Sequence, residues 1–422
     1  MTRLAVFTLL ASTACGDGLR SAQATAPWRT AFDSTGDTIV ARTTGEVPNE
    51  SERKLVLELQ IGQAEGNDSV TFGRIEHLAV TSDGRLFVFD GQGPSLKLFD
   101  STGTLVRFVG RKGGGPAEFE QVTGIGTLPG DRVALWDASH GRVNVYTASG
   151  DLSTQWRVPI SGFFSSDGLQ TDSTGAVVLR VPIGADKSKA SFGVIGLVRF
   201  NAVGDARDTI QPPAWIDPPP TLRAQSDRVR SMRNLPFAPR QISTWSRSGA
   251  LLSGPSTPYA IYLTHRAGRP LRIEQEWKPL RVLPDEGDHA RADLTWAMRT
   301  VDPGWNWTGP GIPETKPAYE RLQSGEDARI WVKIHTTAER IENPEERRSE
   351  AGQPPRPVQR YAEPNAYDVF DSNGAYLGRV RIDRRQQIMR MLGDRVWGVL
   401  TDSLGVAYVA RWRVEPPFQR PE

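Results

Sequence analysis

From His77 onward the chain repeats itself. Short strands of alternating apolar residues and tight glycine turns return at a spacing of roughly 40 to 50 residues, a period that points to a solenoid or a propeller. The plainest copy is HLAVTSDGRLFVFD followed by SLKLFDSTGTLVRFVG, four strands with turns at Ser82-Asp83-Gly84 and Ser101-Thr102-Gly103. VTGIGTLPGDRVALWD with RVNVYTASGDLSTQWRV is a second copy, and GLQTDSTGAVVLRV with FGVIGLVRFNAVGDARDTI a third. RQISTWSRSGALLSG with YAIYLTHRAGRPLRIEQEW makes a fourth. In the fifth, YERLQSGEDARIWVKI is separated by an insertion from AYDVFDSNGAYLGRVRI.

The last copy, RVWGVLTDSLGVAYVARWRV, reads as only the two inner strands of a sixth blade. Near the start, DTIVARTTG and KLVLELQIG have strand composition and no partner of their own. A propeller hides its edges by closing the ring, so these segments are expected to supply the missing outer strands. The predicted fold is all-β: a six-bladed β-propeller of four-stranded antiparallel blades, the last completed by N-terminal strands. It occupies residues 25–415 as one domain, with insertions near 212–238, 279–316 and 335–364, and a Pro-rich tail at 416–422. ARADLTWAMRT in the second insertion predicts a short helix, and the third, rich in Glu and Arg, reads as a solvated loop.

Residues 1–24 have the layout of an export signal: Arg3, an apolar run from Leu4 to Ala11, then small residues before Cys15. The run is far shorter than the roughly 20 residues that span a bilayer. Two exits are open. Ala14-Cys15 resembles a lipobox, although Ser12 stands where such signals carry Leu, and Cys15 is the only cysteine of the chain. Ala22-Gln23-Ala24 instead fits cleavage after Ala24 and release of a soluble protein. The expected location is the periplasm or the outer membrane as a lipoprotein, or the medium if the protein is secreted. Contact with a membrane would come only through a lipid on Cys15. With 51 basic and 49 acidic residues spread along the chain, no stripe exists that would track nucleic acid. A monomer is expected.

The run FGRIEHLAVTSDGRLFVFD, SLKLFDSTGTLVRFVGRKGGGPAEF is similar to NHL-type repeats, and most closely to exported bacterial six-bladed propellers of an uncharacterised group. YDVFDSNGAYLGRVRI and VWGVLTDSLGVAYVARWRV look like the closing blades of that group. The resemblance extends over residues 35–415, by pattern more than by residue in blades three and four. It implies the fold and export. Wider relatives are protein- or sugar-binding modules, peptide lyases and metal-dependent lactonases, but none of their catalytic signatures carries over residue by residue.

In a four-stranded blade the loops after the second and fourth strands open on one face, where propeller ligands usually sit. Three sets of residues on that face are candidates. The glycine run between Gly110 and Phe119 can form an anion nest with Arg111, Lys112 and Glu118; alternatively the glycines shape a tight crossover and Phe119 plugs the wall between blades. His140 and His335 follow equivalent strands three blades apart and, with Asp137 or Asp90, can bind a divalent metal, the only cofactor suggested; surface histidines are the plainer reading. Trp296, Trp305 and Trp307 can stack on a sugar or an apolar peptide side chain, or simply cap the core. His77, His265 and His289 have no evident partner. With no nucleophile elbow, zinc-protease pattern or dinucleotide fingerprint, the expected function is a non-catalytic binding module for a protein, peptide or glycan at the channel face. A metal-dependent hydrolase or lyase at the channel is the alternative.

Overall fold

Five turns of the repeat share one piece of chemistry, and it explains why the strands fold back where they do. Asp100, Asp172, Asn201, Asp371 and Asp402 each head a turn closed by a glycine of positive φ, such as Gly103 at 90° and Gly374 at 89°. Each side-chain oxygen accepts the backbone N–H groups two and four residues on: from Thr102 and Thr104 at 2.9 Å for Asp100, and from Asn373 at 2.9 Å and Ala375 at 2.8 Å for Asp371. The same pair of bonds recurs at Asp172, Asn201 and Asp402. A short side chain that mimics a backbone turn, plus a residue free to take positive φ, sets each hairpin.

These hairpins build a six-bladed β-propeller, seen in a computed structural model that describes residues 28–418 apart from 46–51, 67–69, 159–167, 184–193, 228, 266, 343 and 345–354. The segment holding Cys15 and both export-signal exits lies outside the described residues. Blades 1 to 5 span residues 75–111, 122–157, 169–210, 241–275 and 319–382, each containing four antiparallel strands in chain order. Between the blades lie apolar layers: Phe87, Phe89, Phe119, Val133 and Tyr146 pack together between blades 1 and 2, and Tyr259, Tyr319, Ile330 and Phe370 between blades 4 and 5. No described helix is long and apolar enough to cross a membrane.

The sixth blade corrects one expectation. Its first strand is Gln386–Leu392, followed by Arg395–Thr401 and Ala407–Glu415, so the C-terminal region supplies three strands rather than two. In QQIMRML the glutamines and arginine interrupt the apolar alternation that marks a strand in sequence. One outer position is left, and one N-terminal strand fills it. Numbered from the N-terminus of the described chain, the extra strands are β1 (Arg29–Thr35), β2 (Thr38–Thr44) and β3 (Lys54–Ile61). β3 pairs antiparallel with Ala407–Glu415, from Lys54 opposite Glu415 to Ile61 opposite Val409. DTIVARTTG goes elsewhere: β2 lies parallel to Leu271–Gln275, the outer strand of blade 4, and β1 pairs with β2, extending that sheet to six strands.

If β3 is what closes the ring, a chain beginning at Gly62 should lose its cooperative unfolding transition and associate through the bared edge of Ala407–Glu415. A chain beginning at Glu52, lacking only β1 and β2, should remain a cooperative monomer. Size-exclusion chromatography and thermal melting separate the two, and identical behaviour of both truncations would refute the assignment.

Candidate functional site in the channel

The first strands of the blades touch one another and line the central channel, and their partly open side chains are mostly polar. Glycine lets them come close: a Cβ on Gly124 of blade 2 would stand 2.1 Å from the Leu169 nitrogen of blade 3. Three charged side chains cross this space. Arg247, on a turn of blade 4, pairs with Glu326 of blade 5 at 3.3 Å. It also donates to Thr127 O of blade 2, and to Thr171 Oγ1 at 3.2 Å and Asp172 O at 3.3 Å in blade 3. Arg390 of blade 6 donates across the channel to Ile125 O of blade 2 and to its neighbour Met389 O at 2.9 Å.

Two guanidiniums thus converge on Glu326, whose neighbour Asp327 is paired with Arg329. Burial pushes the Glu326 carboxyl up, against the pull of Arg247 and Arg390. Burial likewise lowers Arg390, yet a guanidinium keeps its charge under any ordinary condition. His77 stands on the first strand of blade 1, stacked on Phe89 with centroids 5.9 Å apart. Burial, then the charge of Arg390, lowers its imidazole to about 4, so it is neutral at pH 7. Thr123 Oγ1, Gln323 Oε1 and Arg390 Nε, on the first strands of blades 2, 5 and 6, are buried without a hydrogen-bond partner among the described residues. Buried polar atoms are nearly always satisfied, so three on channel strands mark where water or a ligand group would be held.

The glycine run between blades 1 and 2 is filled from within. Glu118 accepts the Gly115 N–H at 2.9 Å and pairs with Arg111 at 3.2 Å, both of which hold its carboxyl below the usual range. A Cβ on Gly113 would stand 2.2 Å from the Glu118 carboxylate. Lys112 pairs backbone to backbone with Phe119, which is fully buried and meets Phe89 edge-on at 5.5 Å. The loop's own anion occupies the nest, and Phe119 plugs the wall.

The predicted metal residues form two separate pairs. Asp137 is fully buried, 2.6 Å from His140 Nδ1, and accepts the Gln121 N–H at 3.2 Å. Asp90, at the equivalent place in blade 1, accepts the Gly73 and Arg74 N–H groups at 2.9 Å. Both carboxylates therefore tie down the loop that enters their own blade. His335 pairs through Nδ1 with Glu363 at 3.0 Å. Among the described residues no group of three or more His, Cys, Asp or Glu is arranged to hold a metal.

The three insertions meet beside the channel face. Helix α1 (Pro284–Arg299) realises the predicted short helix. Its Leu294 and Met298 pack with Leu222 and Leu235 of the first insertion and with Trp305. Trp305 is buried and donates to Arg223 O at 2.8 Å, Trp307 lies edge-on to it at 6.2 Å, and Arg356 covers Trp296 at 5.0 Å. The tryptophans thus form the core and flank of a cap. Its pin is Lys316, fully buried, 2.7 Å from Glu286 and 3.2 Å from Glu363, donating to Thr336 O at 2.8 Å beneath the Phe237 ring. Burial pushes Glu363 up, but His335, Thr336 and Lys316 bring it down overall.

Sequence reasoning missed Arg247, Glu326 and Arg390, because two sit on turns between first and second strands, at the opposite end of the blades from the loops expected to hold a ligand, and one on the unrecognised strand. A direct check uses His77. As pH falls from 6.5, the unfolded chain takes up a proton that the folded imidazole refuses until about pH 4, so stability should drain away across that window and level off below it. The loss is on the order of 3 kcal/mol. Urea titrations at several pH values should show this slope in the wild type and its reduction in His77→Gln; parallel profiles would contradict the assignment.

Comparison with known proteins agrees with the ring. A family model described as a 6-bladed beta-propeller, DUF5128, matches residues 47–172, which hold β3 and blades 1 and 2. No curated protein matches the chain. Similar solved structures include a Bacteroides fragilis protein inferred to be exported, 10% identical with TM-score 0.48, covering 89% of this chain and 99% of its own. A DUF4221 family member from Bacteroides vulgatus is 9% identical with TM-score 0.48, over 86% and 99% of the two chains. Virginiamycin B lyase from Staphylococcus aureus is 10% identical with TM-score 0.38, over 85% and 99%. The chain is thus similar, over its closing strand and first blades, to a family of six-bladed propellers.

Proposed function

We propose that the protein is an exported, non-catalytic binding module whose channel takes an acidic group of a peptide or glycan. The observation that carries this reading is the convergence of two guanidiniums, Arg247 and Arg390, on Glu326, while the neighbouring Asp327 is engaged by Arg329. Residues reaching in from several blades let one ligand group be held from several sides at once. A guanidinium also offers up to five donors in a fork suited to carboxylates. Neutral His77, which feels the charge of Arg390, and the Thr123 and Gln323 oxygens, without a hydrogen-bond partner among the described residues, supply uncharged polar groups on the same set of first strands. Export rests on the N-terminal sequence, with Cys15 as the residue that would carry a lipid.

Thermal-shift and calorimetric titration with a hexaglutamate peptide and with hexagalacturonate tests the channel. At least one should bind more weakly as salt rises, and Arg390→Met should lower its affinity about tenfold or more, the range expected for a charge-assisted contact. Failure of both probes, or equal binding by the variant, would overturn the reading. For export, Cys15→Ser should move the protein from the membrane fraction to the soluble periplasm; a soluble wild type would favour cleavage after Ala24 instead.

A further inference from the structure

The β1–β2 hairpin is not part of the repeat, and the ring closes without it. Laid against the outer strand of blade 4, it brings Thr35 and Thr38 to a cleft of about 300 Å³, also lined by Trp215, Tyr262, Thr264 and Arg272. Trp215 comes from the connector between blades 3 and 4. Its ring stacks on Tyr262 with centroids 3.8 Å apart and 15° between planes. Two hydrogen bonds hold it there, from the backbone N–H to Gln241 Oε1 at 3.0 Å and from the indole N–H to Ser253 Oγ at 3.1 Å. The aromatic pair is therefore fixed before any ligand arrives, which limits the entropy lost on binding.

The one charged side chain of the lining, Arg272, is engaged by a carboxylate from outside it. Arg272 lies 2.8 Å from Glu274, and Glu274 also meets Arg42 at 2.9 Å. Thr264 Oγ1 is buried with no hydrogen-bond partner among the described residues. A buried hydroxyl left unpaired costs on the order of 1–3 kcal/mol, so a partner for it is worth having.

We propose that this cleft is a second binding site, separate from the channel, for a neutral saccharide ring. A sugar ring has an apolar C–H face that suits an aromatic pair and a rim of hydroxyls that both donate and accept. The threonine hydroxyls match that rim, because they too do both. A free phosphate or carboxylate would have to compete with Glu274 for Arg272, and a purely apolar ligand would leave Thr264 unsatisfied. The volume lies at the small end of ligand pockets, enough for a sugar unit and too small for a folded peptide.

Saturation-transfer NMR with D-glucose, D-galactose, D-mannose and N-acetyl-D-glucosamine tests this on the full chain. At least one sugar should receive saturation, and its affinity should fall at least tenfold in Thr264→Val, which keeps the side-chain shape and removes the hydroxyl. Tyr262→Ala should abolish the signal, while Leu404→Ser, on a remote turn of blade 6, should leave it unchanged. Near-UV circular dichroism confirms that each variant is folded. Absence of saturation for all four sugars, or undiminished binding by folded Thr264→Val, would overturn the proposal.

Discussion

The antiparallel pairing of β3 with Ala407–Glu415 is the contact on which the rest of the molecule depends. A blade ends in a strand whose outward N–H and C=O groups can recruit another chain, and a ring has no place for a blade without its neighbour. Joining β3, which leads into blade 1, to the last strand through seven paired positions holds the first and last blades together. The channel follows from that closure. Arg390 of blade 6 can meet a carbonyl of blade 2, and Arg247 of blade 4 can reach blades 2, 3 and 5, only when all six first strands converge.

Buried charge is used in two different ways in this fold. At Lys316 the ammonium has two carboxylates and a carbonyl around it, and Glu286 and Glu363 come from separate insertions. Such a saturated cluster has little to offer a ligand, but removing its lysine would leave the buried Glu286 and the part-buried Glu363 without their shared cation, so it fixes how the insertions assemble. The channel is less balanced. Its two guanidiniums are partly occupied by backbone carbonyls and share Glu326, and neutral polar atoms on the first strands have no hydrogen-bond partner among the described residues. Unequal satisfaction, rather than burial alone, separates the candidate site from the structural pin.

Several residues that looked functional in the sequence are occupied with holding the fold. Asp137 and Asp90 repeat one task, accepting N–H groups of the loop entering the blade. Glu118 fills the nest that its neighbouring glycines make. These residue types suit ligand binding and loop fixation equally well, because both use the same hydrogen bonds. Which use prevails depends on what lies within about 3 Å, and spacing along the chain does not report that.

The repeat, its turns, the six-fold count and the need for an N-terminal strand in the last blade were all written in local chemistry. Strand alternation and Asp-x-x-Gly turns act over a few residues, so they survive in the sequence as readable pattern. The short helix in the second insertion was legible for the same reason. Tertiary structure alone decided which N-terminal segment closes the ring, because KLVLELQIG and DTIVARTTG both suit an outer strand and only their pairing in space, with Ala407–Glu415 and with Leu271–Gln275, tells them apart. It also decided the channel charges, since Arg247, Glu326 and Arg390 are 64 or more residues apart in the chain and are joined only by the convergence of three blades. The Trp215–Tyr262 cleft came the same way, from a connector, a blade and an added hairpin that share no motif.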